Sequence, residues 1–128
     1  MTDQQAQDWH DVDLSDLLAG MYRFGAAGPH EWDCWTAAAE IRRRAGLGTP
    51  TRQQVAEAVL AGSQLFERLP GPKPWCLVYF TVEPRHVGVV LPGGRAFFHI
   101  TAQAGPAIAD LADWPWRNKV EAYYEVAQ

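Results

Sequence analysis

The stretch His86–Ile100, HVGVVLPGGRAFFHI, decides the fold, because two runs of β-branched and aromatic residues flank Leu-Pro-Gly-Gly-Arg. Such runs around a glycine pair read as two antiparallel strands and a tight turn. A loop of two residues (Gly93-Gly94) or of four (Pro92–Arg95) pairs residues whose numbers sum to 187. Gly88 then faces His99, leaving space for an imidazole, and His86 faces Thr101. Both histidines fall on one sheet face as diagonal neighbours. A three-residue loop would send one of them to the other face.

Working outward, WCLVYFTV (75–82) and KVEAYYEV (119–126) carry the same extended signature. Gly105–Ala112 predicts a short helix between the third and fourth strands. The first half of the chain has a helical period instead. Leu14–Met21 predicts a short helix with Leu14, Leu17, Leu18 and Met21 along one side. YRFGAAGPHEW (22–32), broken by Gly25, Gly28 and Pro29, reads as a loop. Thr51 caps a helix extending to about Leu69, with Val55, Val59 and Leu65 as core positions. LPGPKP (69–74) connects it to the strands. Helices first and a strand meander afterwards give an α+β domain, N-terminal helices packed on an antiparallel sheet. Residues 1–13 form an acidic lead with Trp9 as its candidate anchor, and 14–128 form one domain.

The 128 residues and 48% hydrophobic content suffice for a single core. A net charge of −4 argues against a nucleic-acid footprint. No apolar run approaches the roughly 20 residues that span a bilayer, so no membrane insertion is expected. The acidic, polar start MTDQQAQDWHDVDLSD is not a signal peptide, and export by the general secretory route is not expected. Two cysteines, Cys34 and Cys76, are too few for a disulfide scaffold and read as reduced thiols.

EWDCWTAAAEIRRRAG (31–46) places Cys34 on the threshold of an alanine-rich helix. Asp33 is the expected N-cap and Gly46 the stop. Cys34, Ala38, Ile41 and Ala45 form the expected inner stripe, with Arg42, Arg43 and Arg44 facing water. A helix start favours the thiolate form; the alternative for a lone cysteine is a small buried hydrophobe. Cys34 with two histidines on one sheet face would make a nucleophile, a base and an orienter. The Cys34 backbone N–H and the Tyr22 hydroxyl are candidate oxyanion donors; Tyr22 packing in the core is the alternative. A metal site of Cys34, His86 and His99 lacks any local ligand pair, so no metal or cofactor is expected. Cys76, inside a strand, reads as a core residue.

On these residues the chain resembles the NlpC-type cell-wall cysteine peptidases, which have a trimmed papain-like α+β fold. In that family a tyrosine in a Tyr-Arg-aromatic-Gly loop precedes the nucleophile by twelve residues, as Tyr22 precedes Cys34. Asp33-Cys34 matches the family's Asp-Cys step, His86-Val87-Gly88 its His-Val-Gly strand start, and His99 its third polar residue. The resemblance spans roughly Leu18 to Val126, and residues 47–72 are undiagnostic. It implies Cys34, His86 and His99 as catalytic residues, Tyr22 and Asp33 as oxyanion or substrate-binding residues, and Trp32 and Trp35 with Tyr22 as groove walls.

Trp35, the HVGVVLPGG wording and the closing W…VEAYYEV look most like the short members found in phage tail modules. That likeness implies a virion tail tip, other tail-tip proteins as partners, and cleavage of peptidoglycan stem peptides at the D-glutamyl–diaminopimelate bond. The competing reading is a tail-tip adaptor that keeps the fold without activity. The chain departs from the family pattern at three places: Thr36 replaces a glycine, Trp75-Cys76 replaces Gly-Asp, and Arg85 replaces a small or acidic residue.

Overall fold

The computed structural model describes residues 12–81 and 86–127. The acidic lead up to residue 11, Trp9 with it, and Arg85 lie outside the described residues. The hairpin that decides the fold forms with a four-residue loop. Val89 pairs with Phe98 and Val90 with Phe97, and the Leu91 N–H donates to the Ala96 carbonyl at 2.8 Å. Every one of these pairs sums to 187, the register expected of an even-length loop.

In chain order the elements are α1 (Ser15–Leu18), β1 (Met21–Tyr22), β2 (Glu31–Trp32), α2 (Cys34–Arg44) and α3 (Arg52–Ala61). The strands β3 (Phe66–Leu69), β4 (Leu77–Phe80), β5 (His86–Val90), β6 (Ala96–Thr101), β7 (Gly105–Asp110) and β8 (Val120–Val126) follow. A 3₁₀ turn, Trp116–Asn118, precedes β8. The last six strands form one antiparallel sheet, ordered β3-β8-β4-β5-β6-β7. β1 and β2 pair in parallel beside it. The α+β architecture is the expected one.

Strand alternation divides the core in two. Leu77, Val87, Val89, Phe98 and Ile100 face α1 and α2, meeting Leu17, Ala38 and Ile41. Val78, Phe80, Val90 and Phe97 form the opposite face with Cys76, Leu111 and Trp116. Cys76 is a core residue, as read from sequence.

Four expectations are corrected. Only Ser15–Leu18 is helical in the first segment, and Met21 is exposed in a two-residue strand. The chain must leave the helix at Gly20, where a Cβ would sit 3.0 Å from the His30 carbonyl. Gly105–Asp110 is not a helix but the edge strand β7, because Thr101 and Gly105 pair across a tight turn. The helix expected to reach Leu69 stops at Ala61, where Gly62 adopts a left-handed φ of 69°. Phe66–Leu69 then pairs with β8 instead. None of the helix's residues is buried: Val55 is half-buried, Val59 is exposed, and Leu65 lies beyond the helix, half-buried.

The fourth correction concerns the arginine triplet. Arg43 is exposed, but Arg42 is only 1% accessible and turns inward. Its guanidinium donates to Thr49 Oγ1 (2.8 Å), the Trp75 carbonyl (2.5 Å), the Gly48 carbonyl (3.2 Å) and Glu125 Oε1 (2.6 Å). Trp75 stands in the left-handed region at φ 67°, where a side chain is strained. Its N–H donates to the Val90 carbonyl at 2.6 Å. Arg42 thus secures the carbonyl of the residue that occupies the place of the family's Gly-Asp.

Candidate active site

Cys34 is the first residue of α2, half-buried at the helix start. Its position is fixed by the cap beneath it. Asp33 Oδ1 accepts from the Thr36 N–H at 2.9 Å, and Thr36 Oγ1 accepts from the Asp33 N–H at 3.0 Å. This is a complete capping box. The Thr36 hydroxyl also donates to the Ala26 carbonyl at 2.5 Å, tying the preceding loop to the helix. Thr36 in place of glycine therefore adds a cap and a tether.

Asp33 is fully buried, and its second oxygen has its own partners. Oδ2 accepts from the Gly25 N–H at 2.8 Å and from Arg52 Nη1 at 2.6 Å. Burial works to raise the carboxyl pKa, but the bonds from Arg52, Thr36 and Gly25 outweigh it and hold Asp33 below its ordinary value. Arg52 also lies over the Phe24 ring, 5.1 Å from its centroid. Sequence reasoning passed over Arg52. The signal was its charge: a cation in the first turn of a helix opposes the macrodipole and implies a specific anionic partner.

Tyr22 sits on β1 opposite Trp32 of β2. Burial raises its hydroxyl pKa, and the nearby charges of Cys34 and Asp33 raise it further. The loop thus brings Tyr22 into the electrostatic neighbourhood of the thiol, half-buried against the core.

His86 and His99 are brought together. Their rings lie 5.5 Å apart at 23° and are 7% and 6% accessible. Phe80 stacks on His86 at 4.8 Å, and Trp116 stands edge-on to both, at 5.8 Å and 4.7 Å. Burial, with His86 second, lowers the His99 pKa to about 4, so His99 is neutral at neutral pH. Its Nδ1 is buried without a hydrogen-bond partner among the described residues. The space expected at Gly88 for the His99 imidazole is instead closed by other neighbours. A Cβ there would strike the Phe98 carbonyl (2.7 Å) and the Phe97 ring (3.2 Å).

Cys34 and His86 line one cleft of about 390 Å³. Trp35, Arg52, Tyr79 and Val87 are among its other walls. The histidine pair packs on the Phe80–Phe97 side of the sheet, whereas α2 covers the Val87–Phe98 side. The cleft therefore reaches His86 at the start of β5, while the His86 ring stacks with Phe80 and with His99, which is outside the lining, on the other side of the sheet. Of the three expected groove walls only Trp35 lines this cleft. Trp32 is buried against Gly28, where a Cβ would fall 2.6 Å from its ring, so Trp32 shapes the loop instead. Trp35 is steadied by its indole N–H, which donates to the Pro50 carbonyl at 2.9 Å. Among the described residues no group of three or more His, Cys, Asp or Glu side chains could hold a metal.

The chain is similar in structure to a lipoprotein-like protein of the NLP/P60 family from Staphylococcus aureus, with a TM-score of 0.61 at 21% identity. It is also similar to NlpC1 and NlpC2 from Trichomonas vaginalis, with TM-scores of 0.57 and 0.60, each at 18% identity. The fold is that of the NlpC/P60 proteins. These matches take in 98–100% of this chain but only 43–48% of those chains. No protein-family model matches the sequence, and no curated protein matches it by sequence.

Proposed function

We propose that this chain is a cysteine peptidase that hydrolyses peptidoglycan stem peptides. The observation that carries the reading is the single cleft lined by Cys34 and His86, with His99 stacked on His86. The NlpC/P60 fold and the Tyr22, Asp33-Cys34 and His86-Val87-Gly88 wording support it.

In the first half-reaction the Cys34 sulfur attacks the scissile carbonyl carbon while His86 holds the thiol proton. The oxyanion is met by the Cys34 N–H at the helix start and by the Tyr22 hydroxyl. The C–N bond then breaks, and His86 passes its proton to the leaving amine. Water, deprotonated by His86, cleaves the thioester and restores the thiol. His99 fixes the orientation of His86, and its neutrality suits that part because it brings no competing charge. Asp33 and Arg52 hold the helix start in place. The wording of the hairpin and C-terminal strand further favours the D-glutamyl–diaminopimelate bond as the target, and a phage or prophage tail tip as the setting, alongside other tail-tip proteins.

Product analysis of digested peptidoglycan tests this. Fragments cut within the stem peptide are expected, none with the Cys34→Ala or His86→Ala protein, and a reduced yield with His99→Ala. Unchanged digestion by His86→Ala would refute the scheme. No digestion by the unaltered protein would favour the adaptor reading.

A further inference from the structure

The cleft shared by Cys34 and His86 does not end at the histidine. Trp35, Val55, Tyr79 and Val87 line both this cleft and an adjoining cavity of about 560 Å³. The inner walls of the second cavity are Phe66, Leu77 and Tyr124. Phe66 meets Trp35 edge-on at 6.0 Å and Tyr124 at 6.5 Å, so the aromatic rings form one continuous surface. The one charged residue lining the cavity, Glu121, is exposed.

The trough exists because α3 stands away from the sheet. The helix buries none of its residues, although Val55 lines the trough. What sustains the helix is capping at both ends, a Thr51–Gln54 box and left-handed Gly62. A capped helix over an apolar hollow leaves room that the protein's own core does not fill. Each cavity falls within the size range of small-ligand sites. An acidic side chain entering the second cavity would lose water and meet Glu121 with no cation in the lining, whereas an apolar one would shed water on favourable terms.

We propose that this trough is a specificity pocket for a large apolar side chain, aliphatic or aromatic, carried by the substrate residue beside the scissile bond. The inference rests on Cys34 as the nucleophile for its placement beside that bond. A stem peptide of small and acidic residues leaves the trough empty, so the inference extends the substrate class to peptides bearing a large apolar residue.

Binding can be measured apart from turnover. N-acetylphenylalaninamide and N-acetylglycinamide are titrated into methyl-labelled Cys34→Ala protein and followed by NMR. Saturable shifts of the Val55, Leu77 and Val87 methyls are expected with the first compound only. Val55→Arg should weaken that binding by roughly tenfold or more, because it drives a charge into the trough. Val59→Arg, on the exposed side of the same helix, should leave it unchanged. The methyl spectrum itself reports whether each variant is folded. Absence of saturable shifts at these methyls, or parental binding by a folded Val55→Arg protein, overturns the proposal. Retained binding beside an unaltered protein that cleaves no peptide removes the thiol reading and leaves the pocket standing.

Discussion

At the scale of the residue, His99 carries a consequence that does not depend on any substrate. A neutral imidazole buried among Phe97, His86 and Trp116 has a folded pKa of about 4 against an ordinary 6.5. Between these values the unfolded chain binds a proton that the folded chain refuses, so this group makes stability rise with pH there. Its contribution is complete above about pH 6.5 and is lost as pH falls toward 4. Urea midpoints measured from pH 7 to pH 4 should therefore fall, and less steeply in His99→Gln, whose side chain does not titrate. An equal slope in the two proteins would remove His99 as the source. The pairing of the histidines was legible in the sequence only on the premise of an even-length loop, which the four-residue loop supplies. Their ring cage was not, because Phe80 and Trp116 lie outside the hairpin and reach it only through sheet order and the 3₁₀ turn.

Among the elements, α2 shows how a helix can be read correctly and its faces wrongly. Its cap, its stop and Ala38 and Ile41 on its inner face follow from sequence, since each is a local signal. Arg42 does not, because three consecutive arginines look alike until tertiary acceptors are known. Arg42→Ala leaves the buried Trp75 carbonyl without this donor and removes the pair with the partly buried Glu125, and should cost about 3 kcal/mol of stability. Arg43→Ala removes an exposed pair with Glu40 and should cost less than about 1 kcal/mol. Chemical denaturation of the two variants distinguishes them, and similar small losses would show that the buried network is dispensable. α3 failed in the opposite way. Its capped start was legible, but its length was not, because Gly62 ends it ahead of a segment whose partner, β8, lies more than fifty residues downstream. β7 was missed for the same reason, since GPAIAD has weak strand propensity and is extended only because β6 offers a free edge.

For the whole molecule, charge and substrate must be considered together. The chain carries −4, and peptidoglycan with free stem-peptide carboxyls is itself acidic. Long-range electrostatics should therefore oppose encounter, and the cation that lines the cleft does not reverse this, because Arg52 is engaged with Asp33. Binding of the isolated domain to wall material should be weak and its digestion slow. Raising salt from about 0.01 M to about 0.15 M shortens the screening length from roughly 30 Å to roughly 8 Å, so repulsion beyond that range fades. Digestion of intact peptidoglycan should consequently quicken or hold steady over this range, while a short uncharged peptide is cut at the same rate throughout. The cuts should fall in the stem peptide, with no release of reducing sugar ends. Steep inhibition by salt would mean that a basic surface draws the polymer in, and the electrostatic argument would then be wrong.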